Sequence, residues 1–88
     1  MASYRVEFEP AALRQLRKMT AQARAQIAPV IDALATNPRP SGVKKMSGVA
    51  SLYRVRVGDF RIIYTVDDGA LLVVIITVGN RREVYKKR

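Results

Sequence analysis

Cysteine, histidine and tryptophan are all missing from this chain of 88 residues. Without cysteine no disulfide or thiolate cluster can brace the fold, and without histidine as well a zinc site has neither sulfur nor nitrogen ligands. Long apolar runs are missing too: the longest, residues 70–76, is far short of the ~20 residues that cross a bilayer. The opening MASYRVEFEP lacks the apolar stretch and cleavage site of a secretory signal. The expectation is a cytoplasmic protein with no membrane partner and no cofactor, folded as a single domain over residues 1–88. At this length folding buries about 60% of the unfolded surface, enough for one modest core. Acidic residues are scarce, 7 against 16 Lys and Arg, for a net charge of +9 and an isoelectric point near 10.7. Residues 39–88 hold eleven of those cations and a net +7. Such a half implies a polyanionic partner, nucleic acid or an acidic protein; the alternative is a solvated basic surface that aids solubility.

What is present is clear periodicity. Tyr4, Val6 and Phe8 alternate with Arg5 and Glu7, the pattern of a strand with one buried face. Pro10 suits the first turn of a helix, where its missing N–H costs nothing, and Leu13, Leu16 and Met19 recur along one side. Thr20 is placed to cap a second helix, whose stripe is Ala23, Ile27, Val30, Ile31 and Leu34. Pro29 lies inside that stripe and predicts a kink. Asn37, Pro38, Pro40 and Gly42 stop the helix, and residues 37–50 read as a mobile loop.

Beyond the loop the period becomes two. Tyr53, Val55 and Val57 alternate with Arg54 and Arg56, and Gly58-Asp59 fits a type II′ turn because glycine accepts positive φ at its first central position. A hairpin with that loop sets Val57 against Phe60, Arg56 against Arg61, Val55 against Ile62 and Tyr53 against Tyr64. One face is then apolar and the other carries Arg54, Arg56 and Arg61. A second turn at Asp68-Gly69 leads into residues 70–78, nearly all apolar, as expected of a central strand buried on both faces. Like charges directly opposed on a sheet destabilise it by a few tenths to about 1 kcal/mol, so three arginines on one face either splay into water or meet an anion. Arginine offers a planar fork of donors that fits phosphate and stays charged. Lys44 and Lys45 precede the hairpin, and Arg81, Arg82, Tyr85, Lys86 and Lys87 follow Gly79, so all could edge the same concavity.

The order of elements, with "NPRPSGVKKMSG", "YRVRVGDFRIIYTV" and "VGNRREVYKK" in sequence, resembles the RelE branch of the RelE/ParE toxin superfamily. The resemblance implies an α+β fold, β-α-α-β-β-β, with two N-terminal helices on a small, mainly antiparallel twisted sheet. It also implies a type II toxin–antitoxin toxin that is a metal-independent endoribonuclease. Such toxins cut messenger RNA in the ribosomal A site: the ribose 2′-hydroxyl attacks the adjacent phosphate, leaving a cyclic phosphate and a 5′-hydroxyl. The implied partners are a RelB-like antitoxin, in a toxin–antitoxin hetero-oligomer, and the 70S ribosome with its message. Carried over by position, the catalytic set falls on Arg54, Arg56, Arg61, Arg81 and Tyr85. Contacts to RNA or the ribosome fall on Lys44, Lys45, Arg82, Lys86 and Lys87. Arg54 and Arg56 stand where the best-known form has lysines, and Asn80 where relatives often carry histidine or lysine, so the general base passes to Tyr85, Lys44 or Lys45. Tyr85 also reads as a residue packing the C-terminal segment onto the sheet. The ParE branch shares the fold and inhibits DNA gyrase without cutting RNA; a plain RNA-binding module is the third reading.

Overall fold

The computed structural model of the chain describes residues 3–40, 43–45 and 52–80, with Lys44 defined by its backbone. Strand β1 (Arg5–Phe8) is followed by helices α1 (Pro10–Lys18) and α2 (Ala21–Leu34), then by β2 (Lys44–Lys45), β3 (Leu52–Val57), β4 (Phe60–Asp67) and β5 (Leu72–Asn80). The strands form one sheet in the order β1-β5-β4-β3-β2. Its β1–β5 contact is parallel and the other three are antiparallel. This is the expected α+β arrangement with one addition. The two lysines read as part of a loop form a short edge strand instead.

Local chemistry explains the helix ends. Pro10 occupies the first turn of α1, and Arg17 and Lys18 sit in its last turn, where cations complement the helix dipole. The Arg24 guanidinium donates to the carbonyls of Leu16 and Met19 and closes the end of α1. Thr20 Oγ1 accepts the Ala23 N–H at 3.1 Å, the cap expected for α2. Pro29 does not divide α2, which runs on to Leu34. Pro29 and Ala25, the residue whose carbonyl loses its donor, both lie on the exposed side, where water can take the place of the missing N–H.

Ala12, Ile27, Ile31 and Leu34 from the helices close over Ile62, Tyr64, Val66, Val73, Ile75 and Val78 of the sheet. Each fully buried aliphatic side chain contributes roughly 1.5–3 kcal/mol, so this layer contact carries most of the stability. The turn between β4 and β5 is longer than expected: β5 begins at Leu72, and the left-handed conformation falls on Leu71 (φ 53°), not on Gly69. A non-glycine residue there costs on the order of 1 kcal/mol. The strand is interior, as expected, but only one face is sealed; Leu72, Val74, Ile76 and Thr77 on β5 remain half-buried.

Residues 37–40, expected to be mobile, are tied down. Arg39 donates from Nε to Tyr53 Oη at 3.0 Å and from its two terminal nitrogens to the Asp68 carboxylate at 3.1 and 2.8 Å. Tyr4 Oη donates to the same carboxylate at 2.6 Å. The Arg39 guanidinium carbon sits 5.2 Å from the centre of the Tyr53 ring, and that ring stacks on Tyr64 at 5.8 Å. Tyr64 Oη, fully buried, donates to the Pro38 carbonyl at 2.8 Å. The Arg39 fork and then the Tyr4 hydroxyl hold the Asp68 carboxyl below its usual range. Burial pushes the Tyr64 phenol up to about 12.

Two predictions follow from these contacts. Tyr64→Phe leaves the buried Pro38 carbonyl without its donor and costs about 1–2 kcal/mol in urea unfolding at pH 7. It also removes the loss of stability that wild type shows as pH rises from ~10 through about 12, because the unfolded phenol ionises first. Asp68→Asn acts at the other end of the scale. The lowered carboxyl stabilises the fold fully above its ordinary pKa of ~4 and stops doing so as pH falls through the lowered value. The variant is therefore less stable than wild type at pH 7, and urea curves for the two converge as the carboxyl protonates.

Candidate active site

The hairpin β3–β4 builds the site, and its register is the one the sequence predicts: Arg56 faces Arg61, Val55 faces Ile62 and Tyr53 faces Tyr64. Gly58 has φ 59° at the first central position of the turn, and Asp59 keeps negative φ, as a type II′ turn requires. Val57, Val55 and Tyr53 turn with Phe60, Ile62 and Tyr64 toward the helices. Arg54, Arg56 and Arg61 consequently share the opposite face.

They are not equivalent there. Arg56 is exposed and Arg54 half-buried, whereas Arg61, on the middle strand, is only 8% exposed, with its Nε shut off from solvent. Arg54 and Arg61 are each engaged in a polar or electrostatic contact. Arg61 lies between Arg56 on β3 and Gly79 on β5. Gly79, its ladder partner on β5, contributes no side chain.

Gly79 reaches this position through an irregularity in β5. From Asp67 to Tyr64 the ladder runs opposite Leu72 to Ile75; it then skips Ile76, and Ile63 faces Thr77. The extra residue reverses the facing of everything after it. Val78 turns into the core against Ile62, and Gly79 turns to Arg61. In an unbroken ladder Val78 would stand beside Arg61 and Thr77 would enter the core. The N–H of Val78 donates to Gln15 Oε1 of α1 at 2.8 Å, which fastens the bulged half of the strand to the helix layer.

The remaining sequence-derived residues divide. Lys44 stands across from Arg54 in the ladder, in a strand and not a loop. Lys45 stands across from Tyr53, on the helix-side parity, and is exposed; the structure separates it from the arginine face. Asn80 pairs with Phe60, also on the helix-side parity. Ile63 and the paired Thr65 and Val74 lie on the arginine face, while Ile76 is the bulged residue. Arg81, Arg82, Tyr85, Lys86 and Lys87 lie outside the described residues. Among the described residues no group of three or more acidic, histidine or cysteine side chains could hold a metal ion, and no helix is long and apolar enough to cross a membrane. Sequence reasoning missed Arg39 and Asp68, which are 29 positions apart and share no periodic pattern. The only signal was an arginine between two prolines.

The family model for the ParE toxin of type II toxin-antitoxin systems, parDE, matches residues 6–85. The chain belongs to this toxin family. Within it, the similar proteins are RelE toxins. Toxin RelE of Mycobacterium tuberculosis is 31% identical over 84 residues, covering 94% of this chain and 87% of that protein. The mRNA interferase toxin RelE of Escherichia coli K12 is 28% identical over 89 residues, covering 97% and 93%. The RelE chain in the archaeal RelE–RelB complex from Pyrococcus horikoshii superposes with a TM-score of 0.80 at 27% identity, covering 90% of this chain and 96% of that one. The fold is thus that of RelE toxins, helices and mixed sheet alike.

The bulge can be tested directly. Deleting Ile76 restores an even ladder while Ile62 still faces Val78 and Arg61 still faces Gly79, because the residue removed is the unpaired one. The variant is expected to keep both facings and to unfold within about 1 kcal/mol of wild type, and a loss of several kcal/mol would show that β5 needs the extra residue itself.

Proposed function

We propose that this chain is a RelE-type toxin that cleaves messenger RNA in the ribosomal A site, with the arginine face as its active site and a RelB-like antitoxin as its partner. The observation that carries the reading is Arg61: a permanently charged guanidinium only 8% exposed, flanked by a second arginine and a glycine. A guanidinium fixed in this way presents a permanent charge and a planar fork of donors, which match the pentavalent phosphate of RNA cleavage. The names of the relatives, mRNA interferase among them, support the same chemistry. The RelE–RelB complex from Pyrococcus horikoshii supports the antitoxin.

In this reading the 2′-oxygen forms a bond to phosphorus as the bond to the 5′-oxygen breaks. The proton leaves the 2′-hydroxyl for a base, and another reaches the departing 5′-oxygen. Arg61 neutralises the equatorial oxygens, while Arg56 and Arg54 hold the flanking phosphates at the rim. All three hardly deprotonate, so none is the base. The candidates for the base are Tyr85, Lys44 and Lys45, and Arg81 is the candidate for neutralising the departing 5′-oxygen. The ribosome supplies the orientation of the message, which is why little affinity for free RNA is needed. The gyrase-inhibitor reading is not favoured, since the similar proteins are RelE toxins.

The deciding experiment incubates the protein with translating ribosomes on a defined message, with naked message, and with gyrase and plasmid. Cleavage is expected only on the ribosome, and Arg61→Ala is expected to lower single-turnover cleavage by about 100-fold or more, roughly 3 kcal/mol, while antitoxin still binds. Equal cleavage of naked RNA, or a fully active Arg61→Ala, would overturn the reading.

A further inference from the structure

The two residues of β2 are both lysine, so this strand's own sequence cannot choose its register on β3. A slip by one position would exchange Lys44 and Lys45 with no change in composition, yet the period of two would move each to the other side of the sheet. Two ladder pairs are also too few to hold a strand unaided. Some other contact must set the register.

We propose that Arg39 is a positioning residue: by gripping Tyr53 and Asp68 it fixes where the chain enters β2, and so which lysine stands across from Arg54. Tyr53 is the β3 residue that pairs with Lys45, and Arg39 both donates to its hydroxyl at 3.0 Å and covers its ring at 5.2 Å. The other arm of the fork holds Asp68 in the β4–β5 turn at 3.1 and 2.8 Å. One residue earlier, the Pro38 carbonyl is bonded to the buried Tyr64 on β4. Residues 38 and 39 are thereby locked to the sheet, and the Val43 N–H closes a turn onto the Pro40 carbonyl at 3.1 Å just before Lys44. From that anchor the number of residues to β2 is set. Only arginine can do this, since it must donate from three separate nitrogens in one plane. The anchor lies on the side of the sheet away from Arg61 and acts through β2 without touching substrate. Its functional readout rests on the cleavage reading; its structural readout does not.

Hydrogen exchange gives the structural readout, in wild type, Arg39→Ala and Arg39→Lys. Amides of residues 44, 45, 53 and 54 are expected to exchange at least tenfold faster in both variants, with the core amides of β4 and β5 unchanged. Unchanged exchange at β2, full restoration by lysine, or equal acceleration throughout the sheet would each overturn the proposal, whatever the protein does to RNA. Ribosome association gives the functional readout. Lys44→Ala is expected to weaken it several-fold more than Lys45→Ala, and this difference is expected to vanish in the Arg39→Ala background; a difference that persists undiminished there overturns the link to function. Faster exchange at β2 in a protein whose wild type neither binds ribosomes nor cuts message would leave the positioning role standing and sink the cleavage reading alone.

Discussion

Everything placed on the arginine face depends on the facing of β5, because β4 receives its neighbours on one side from that strand. The skipped residue Ile76 gives β5 two halves of opposite parity. The first half puts Val73 and Ile75 under the helices, and the second puts Val78 there and Gly79 on the far side. Without that reversal the flank of Arg61 would hold a valine. The bulge therefore lets this sequence meet two demands together: a continuous apolar core, and a ladder position without a side chain beside a buried guanidinium. Gln15 secures the arrangement by accepting from the Val78 N–H, so the helix layer holds the strand in its bulged form.

The same feature explains why the last strand was harder to read than the hairpin. In β3 and β4 the parity is constant, and alternation of arginine with valine, isoleucine and tyrosine discloses the faces, the turn and the register at once. In β5 the core set occupies odd positions and then even ones, so apolar residues accumulate at both parities and the run resembles a strand sealed on two sides. Only pairing with β4 reveals that one side is half-open. The helices were legible from Pro10, Thr20 and the stripe of α2, since caps and periodicity are local signals; Leu13, read as part of the α1 stripe, is exposed, and Ala12 is buried in its place. The Arg39 cluster was not, because its partners come from four separate segments that only the folded sheet brings together. The candidate site was legible as far as its arginines, whose spacing is local; the different depths of burial of Arg54, Arg56 and Arg61 follow from strand order, which is not.

Strand order also explains how a protein with net charge +9 tolerates three arginines on one face. Arg61 belongs to the middle strand, where neighbouring strands shield it, while Arg56 and Arg54 belong to β3 nearer the edge and retain more solvent. Water moderates the repulsion at the rim, so the cost concentrates at Arg61. Where a site bears its electrostatic cost is where an arriving anion gains most. In the proposed reading, it is this gradient of burial across the sheet that favours phosphate chemistry at Arg61.

The parallel contact between β1 and β5 joins residues 5–8 to residues 72–75. Chain synthesis delivers the first partner well before the second. Until β5 emerges, β1 has no neighbour, α1 lacks the strand it chiefly packs on, and β4 has an open edge where Gly79 will stand. A nascent chain therefore holds Arg54, Arg56 and Arg61 in solution without the pocket that distinguishes one from another. Closure of such distant contacts is slow relative to local structure, so the finished surface exists only after β5 has been made. The topology thus separates, in time, the making of this protein from the onset of whatever its arginine face does.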